Sequence, residues 1–158
     1  MTRPVTHSLV KALRGVPGFD ILEDGDLLRI VGASVNLSWP AGSLVFGKGS
    51  PGEALYIVLA GEVRIFDVVN GEDVEIARVG VGDFFGEMSL IFDTTHTKFV
   101  EAVEDSELLV LMKKSFRRLL DSKPDLAALI HRRVERRMAE DQAANATDTK
   151  AVSDTPLN

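Results

Sequence analysis

The chain has 158 residues, of which 45% are hydrophobic, enough for one hydrophobic core but not for two. It contains no cysteine, which excludes disulfide bonds, thiol nucleophiles and cysteine-ligated metals. Its histidines, His7, His96 and His131, are too widely separated for a metal cluster, and we expect no metal. The longest apolar run, Ala54–Ala60, is too short to span a bilayer, and because no apolar segment follows Thr2-Arg3-Pro4 we expect no secretory signal. These features predict a single cytoplasmic domain without membrane contact.

The net charge of −6 is unevenly distributed along the chain. Thirteen acidic and three basic residues lie between Glu53 and Glu107, whereas nine basic and five acidic residues lie between Lys113 and Asp141. Because DNA binding relies on lysine and arginine, the acidic middle predicts no nucleic-acid partner. The basic C-terminal segment is either a solvated helix face or a surface for an acidic protein partner.

Residues 5–31 carry two short helical patterns, the second with an acidic start at Asp24 and Asp26. Residues 35–112 then change to short apolar runs separated by glycines, which are typical of a small antiparallel barrel or jelly roll. Asn70-Gly71 predicts a type I′ hairpin, because both residues tolerate positive φ. The strands predicted are Leu44–Phe46, Ala54–Leu59, Glu62–Val69, Val74–Val79 and Lys98–Val103.

Residues 114–141 return to a helical period, divided by Pro124 into two helices. The second helix carries one apolar stripe, surrounded by arginines. Because this stripe does not keep a heptad spacing, we expect it to pack on the chain's own β-structure as a lid and the chain to be a monomer or weak homodimer; the alternative is pairing with a second copy. Residues 142–158 are small and polar and are expected to be disordered. The stripe consists of Leu126, Leu129, Ile130, Val134 and Met138.

The most informative segment begins at Phe84 and reads Phe-Phe-Gly-Glu-Met-Ser-Leu-Ile. Gly86 permits a tight turn and a close approach to a ligand, and a short helix can begin after it. Free backbone N–H groups at a helix start attract anions, while Glu87 can accept hydrogen bonds from hydroxyl groups. This combination suits a ligand that carries both a phosphate and sugar hydroxyls.

Phe85–Ile91 resembles the phosphate-binding cassette of cyclic nucleotide-binding domains, whose usual form is F-G-E-[LM]-[AS]-L-[LI]. Pro40–Phe46, Gly49–Val63 and Glu104–Leu111 resemble the strands and turns of the same family, so the resemblance covers residues 10–140. It implies a mainly β fold with flanking helices: a double-stranded β-helix, or jelly-roll-like β-roll, over 35–112. N-terminal helices over 5–31 and two C-terminal helices over 114–141 complete a domain of residues 1–141.

The resemblance also implies the site and its ligand, cAMP or cGMP, bound at residues 84–98, which we call the cassette segment. Glu87 matches the acid that accepts hydrogen bonds from the ribose 2′-hydroxyl; alternatively, it is a surface acid stabilised by a helix dipole. Gly86, Met88 and Ser89 match positions whose backbone amides cradle the cyclic phosphate. Phe84 is expected in the core with its neighbour at 85.

The cassette segment departs from the family in one place. The family pattern P-R-[ST]-A-x-V supplies an arginine that holds the phosphate, but here His96 takes its place, Thr97 matches the next position and Lys98 replaces alanine. Histidine lacks the permanently charged, bidentate fork of arginine. The lost contact is worth about 2–4 kcal/mol.

Three interpretations of this change are open. A protonated His96 could hold the phosphate, or Lys98 could supply the missing cation. Alternatively, the nucleotide has been lost and Lys98 forms a salt bridge with Glu87.

We therefore expect a non-enzymatic, stand-alone regulatory sensor that binds cAMP or cGMP and signals through its C-terminal helices to an unidentified protein partner. The alternative is an interaction module on the same scaffold, either ligand-free or with another ligand such as a cyclic dinucleotide. Catalysis is not expected. Enzymes of this fold type usually hold a metal with paired histidines and a carboxylate, and this sequence shows no such group. No cofactor is expected beyond the nucleotide ligand.

Overall fold

The computed structural model describes the backbone of residues 4–153 and the side chains of residues 8–140. Two helices, α1 (Pro4–Arg14) and α2 (Asp24–Ala33), precede the strands. A third, α3 (Glu87–Ile91), interrupts them, and α4 (Lys113–Ser122) and α5 (Pro124–Ser153) follow them. The eight strands are β1 (Ser34–Trp39), β2 (Leu44–Phe46), β3 (Ala54–Ala60), β4 (Glu62–Val69), β5 (Glu72–Gly80), β6 (Phe84–Phe85), β7 (Phe99–Ala102) and β8 (Ser106–Met112).

The strands form two four-stranded antiparallel sheets, in the orders β1-β8-β3-β6 and β2-β7-β4-β5. Neighbours in each sheet are mostly distant in sequence, so the chain crosses repeatedly between the sheets, as in a jelly roll. The mainly β fold with helices at both ends is confirmed.

The β4–β5 hairpin shows local sequence determining local structure. Asn70 has φ 55° and Gly71 has φ 79°, so both turn residues are left-handed, as a type I′ turn requires. The predicted hairpin is confirmed.

Alternation along the strands divides the core into two layers. On β3, Val58 lies between the sheets, whereas Leu55 and Ile57 lie beneath the helices. Phe84 packs beneath the helices and Phe85 packs between the sheets, so both belong to the core, as predicted.

Helix α5 packs on this core through its apolar stripe. Leu126, Ile130 and Val134 are buried in the layer beneath the helices, and Met138 is partly buried against it. The stripe therefore covers the chain's own β-structure, as the lid interpretation predicts.

The structure differs from the sequence prediction at the C-terminus. Helix α5 continues to Ser153, whereas disorder was expected from residue 142. The sequence explains the extension, because residues 142–153 contain several alanines, which favour helix, and no proline or glycine before Pro156. Residues 154–158 lie outside the described part of the chain.

Candidate functional site

A left-handed turn at Gly86 positions the cassette segment. Gly86 has φ 92° and directly precedes α3. A Cβ at this position would lie 3.0 Å from the carbonyl oxygen of Ala54 and 3.1 Å from the Tyr56 ring. Both the conformation and the space therefore favour glycine, and the turn places Glu87 at the first position of α3.

The Glu87 carboxylate is fully buried, with 0% exposure. Its Oε1 lies 2.6 Å from Arg137 Nη1 and 3.6 Å from Arg133 Nε, as ion pairs without hydrogen-bond angles. Its Oε2 has no hydrogen-bond partner among the described side chains. Burial raises the pKa of the Glu87 carboxyl, while the positive charge of Arg137 opposes that rise. The idea that Glu87 is a surface acid is therefore wrong.

Two arginines from α5 close one side of the site. Arg133 and Arg137 both donate hydrogen bonds to the carbonyl oxygen of Phe84, at 3.1 and 2.8 Å. Arg133 also lies 2.6 Å from Asp83 Oδ1 and stacks over the Phe84 ring at 4.2 Å. Helix α5 is thus tied to the cassette segment by charge as well as by apolar packing. Sequence reasoning missed this contact; the helical spacing of the two arginines was the available signal.

His96 is part of the wall of the site and is only 6% exposed. Its ring stacks on Phe46, with centroids 3.5 Å apart, and its Nδ1 lies 2.9 Å from Ser89 Oγ. Burial lowers the pKa of His96 to about 4. The imidazole is therefore neutral near pH 7, which argues against the interpretation that a protonated His96 holds the phosphate.

Lys98 does not pair with Glu87, so the interpretation in which these two residues form a salt bridge is wrong. Its Nζ lies 3.6 Å from Asp67 Oδ2, and its side chain is 17% exposed. The reason is that α5 already supplies two cations to Glu87, while Asp67 on β4 offers Lys98 a carboxylate.

All seven residues predicted from sequence line one cavity with about 760 Å³ of empty space, including its open mouth. Arg137 and Glu140 of α5 line the same cavity. The predicted residues are Gly86, Glu87, Met88, Ser89, His96, Thr97 and Lys98.

The rest of the cavity wall is apolar except for Thr94 and Thr95. Phe92, which is 51% exposed, stands at the cavity, where sequence reasoning had not placed it. An apolar wall beside a polar strip can hold a flat heterocycle next to a polar group. The apolar lining comprises Phe46, Ile65, Ile76, Ala77, Phe85, Phe92 and Val100.

Comparison with known proteins agrees with this architecture. The family model described as "Cyclic nucleotide-binding domain" matches residues 36–123, more than half of the chain. The cyclic AMP receptor protein of Thermus thermophilus is 39% identical over 101 residues, which cover 61% of this chain and 47% of that protein. The chain therefore belongs to the cyclic nucleotide-binding domain family.

Two solved structures resemble most of the chain. The catabolite activator protein of Thermus thermophilus has a TM-score of 0.73 at 30% identity, covering 84% of this chain and 63% of that one. The regulatory domain of Toxoplasma gondii PKA, crystallised with cAMP, has a TM-score of 0.69 at 28% identity, covering 75% of this chain and 46% of that one. The domain is thus a regulatory cyclic nucleotide-binding fold with the family's β-roll.

The chain spans less than half the length of curated relatives such as the Thermus receptor protein and the Aspergillus niger cAMP-dependent protein kinase regulatory subunit. Among the described residues, no helix is both long enough and apolar enough to cross a membrane. The same part of the chain holds no group of three or more metal-ligating side chains.

Proposed function

We propose that the cavity beside the cassette segment binds cAMP or cGMP and that the domain acts as a regulator without catalysis. The observation that carries this proposal is the buried Glu87 carboxylate, whose Oε2 lacks a partner among the described side chains. A buried, unpaired charged oxygen is costly. A ribose 2′-hydroxyl that donates to Oε2 would remove this cost, and the apolar wall would hold the base.

The cyclic phosphate needs a cation, and Lys98 is our candidate. The neutral His96 cannot supply a charge near pH 7. Lys98 lines the cavity, and its distance of 3.6 Å from Asp67 is a loose ion pair that can rearrange. A lysine offers a point charge rather than a bidentate fork, so we expect weaker binding than in relatives with the family arginine.

Several relatives are named as receptor proteins or regulatory subunits, which supports a regulatory role for this domain. We propose that a bound nucleotide changes the docking of α4 and α5 and that this change is read by a protein partner. Arg133 and Arg137 join α5 to the cassette segment and provide the physical connection. Binding at Glu87 and docking of α5 then bias each other, as two linked equilibria.

The second candidate function is an interaction module without cAMP or cGMP, or one with another ligand such as a cyclic dinucleotide. The buried His96 favours it, because the ring is fixed by Phe46 and Ser89 and leaves no arginine at the family's phosphate position. Under this alternative the cavity is retained but binds neither cAMP nor cGMP.

Calorimetric titration of the purified chain tests the two candidates. We expect cAMP or cGMP to bind and to raise the thermal midpoint, because a ligand of the folded state stabilises it. Linear 5′-AMP and 2′-deoxy-cAMP are the controls, since the first lacks the cyclic phosphate and the second lacks the hydroxyl proposed for Glu87. Failure of both cyclic mononucleotides at millimolar concentration would reject the proposal, and binding of a cyclic dinucleotide would favour the alternative.

A further inference from the structure

We propose that β1 is a contact between two copies of this chain, which pair antiparallel through its free edge about a two-fold axis at Leu37. The pairing joins the four-stranded β1-β8-β3-β6 sheets of the two copies into one continuous sheet. This inference does not depend on nucleotide binding.

The outer edge of β1 is free to pair. The strand lies at the end of its sheet and pairs with β8 on one side, and no strand within residues 4–153 pairs with its other side. Its four central residues are all exposed, and its register with β8 runs without a bulge from Ser34 to Trp39. The backbone N–H and C=O groups along a straight, uncovered edge can form a second ladder.

The other three sheet edges carry features that hinder strand addition. β6 has only two residues, and its Phe84 carbonyl oxygen accepts hydrogen bonds from two arginines of α5. β2 has three residues and a register shift, and β5 has a register shift and four charged side chains. In contrast, β1 contains no charged residue, proline, glycine or register shift. Natural proteins usually protect such an edge, so β1 is the edge suited to pairing.

The side chains of β1 give this edge an apolar face. Val35 and Leu37 are 53% and 43% exposed, although their partners on β8, Val110 and Leu108, are buried. Val35, Leu37 and Trp39 alternate with polar residues, so they lie on one face of the strand. A strand added beside β1 would cover their open side.

The sequence of β1 is complementary to itself when two copies run antiparallel. With Leu37 opposite Leu37 of the second copy, Val35 lies opposite Trp39, and Asn36 lies opposite Ser38. Apolar side chains then meet on one face and polar side chains on the other, and no like charges oppose each other. This match is the reason for assigning a second copy to the edge rather than an unrelated extended peptide.

The contact is small, so the pairing is weak. Six residues from each copy bury less surface than a standard protein interface. We therefore expect a dissociation constant of about 0.1 mM or higher. The chain is then a monomer at micromolar concentration and a dimer where its local concentration is raised.

Disulfide trapping tests the register, because the chain has no cysteine of its own. At the two-fold axis, the Cα atoms of position 37 in two copies lie about 4.5–5.5 Å apart, within disulfide range. The two copies of position 35 are four residues out of register, or about 14 Å apart.

We expect Leu37→Cys to cross-link about tenfold or more faster than Val35→Cys under mild oxidation at near-millimolar concentration. Val35 is the matched control, because it lies on the same strand and is at least as exposed. Equal rates for the two variants, or no cross-link in a folded Leu37→Cys chain, would overturn the inference.

Charged substitutions test the two-fold axis without a covalent bond. Neither Leu37→Lys nor Leu37→Glu should associate with itself, since like charges would stand opposite each other, whereas an equal mixture of the two should associate. Sedimentation at near-millimolar concentration measures association. Val68→Lys, exposed on β4, is the control and should associate as the wild type does. Association that persists in Leu37→Lys would place the contact elsewhere and overturn the inference.

These tests are separate from the test of the proposed function. They contain no nucleotide, and no residue of β1 belongs to the described lining of the cavity. A wild-type chain that stays monomeric at near-millimolar concentration would overturn the pairing and leave nucleotide binding unaffected. Failure to bind cAMP or cGMP, together with the Leu37→Cys cross-link, would reject only the proposed function.

Discussion

Ser89 Oγ and His96 Nδ1 lie 2.9 Å apart in the wall of the cavity, and the pair connects α3 to the loop before β7. Ser89 Oγ also lies 3.2 Å from the carbonyl oxygen of Gly86. If the hydroxyl donates to that carbonyl, His96 Nδ1–H donates to the hydroxyl; otherwise the hydroxyl donates to His96. Either arrangement uses a neutral imidazole, so the pair fills the family's arginine position without placing a charge there.

We predict that His96→Arg strengthens cAMP binding about tenfold or more. A guanidinium can make a bidentate, charge-assisted contact with the phosphate, whereas the neutral imidazole makes none. Calorimetry of the variant gives the affinity. His131→Arg is the matched control, since it adds an arginine at an exposed position of α5. A folded His96→Arg chain that binds no better would favour the module without a mononucleotide.

The buried His96 also predicts a pH-dependent stability. Its pKa falls from 6.5 to about 4 on folding, so the unfolded chain binds more protons between these values. Stability contributed by the neutral ring is present above pH 6.5 and is lost as the pH falls towards 4, by about 3 kcal/mol in total.

The measurement compares urea unfolding of the wild type and His96→Gln from pH 7 to pH 4. The difference between them should shrink as the pH falls, because only the wild type must exclude a proton at this position. Taking the difference cancels the pH effects of Glu87 and Asp26, which titrate in both chains. A constant difference across this range would show that His96 does not titrate as described.

Sequence reasoning succeeded where the determinant is local. Asn70-Gly71 fixes a hairpin through the backbone preferences of two adjacent residues, and Gly86 fixes the turn before α3 in the same way. The strand β1 was not predicted individually. Its apolar residues Val35 and Leu37 are exposed, so alternation there does not separate a core face from a solvent face.

The partners of Glu87 could not be predicted in this way. Arg133 and Arg137 read in the sequence as the polar side of an amphipathic helix, and only the docking of α5 turns them towards the cassette segment. The same docking supplies arginines to Glu87 in place of Lys98, which was its partner in one of the three open interpretations. Such contacts depend on tertiary packing, which periodicity does not encode.

We predict that Glu87→Ala weakens cAMP binding by about 1.5–3 kcal/mol, because the ligand loses a charged hydrogen-bond acceptor. The loss should be absent with 2′-deoxy-cAMP, which lacks the hydroxyl. Glu107→Ala, at an exposed position of β8, is the matched control. Equal losses with cAMP and 2′-deoxy-cAMP would mean that the ligand binds in another pose.

We predict that Gly86→Ala destabilises the fold more than Gly82→Ala does. Both glycines have a left-handed φ, 92° and 87°, so both substitutions incur backbone strain of about 1 kcal/mol or more. Only at Gly86 would the new Cβ lie close to other atoms, 3.0 Å from the carbonyl oxygen of Ala54. Urea unfolding measures both variants, and equal losses would show that strain alone requires glycine at position 86.

The last prediction concerns Val134 and the role of α5. Val134 is 2% exposed and packs in the layer beneath the helices, so Val134→Glu places an unpaired carboxylate in the core. We expect a loss of about 3 kcal/mol or more in unfolding free energy, with the wild type sedimenting as a monomer at micromolar concentration. His131→Glu, exposed on the same helix, should cost little. A wild-type dimer that dissociates in Val134→Glu without loss of protomer stability would show that the stripe pairs with a second copy.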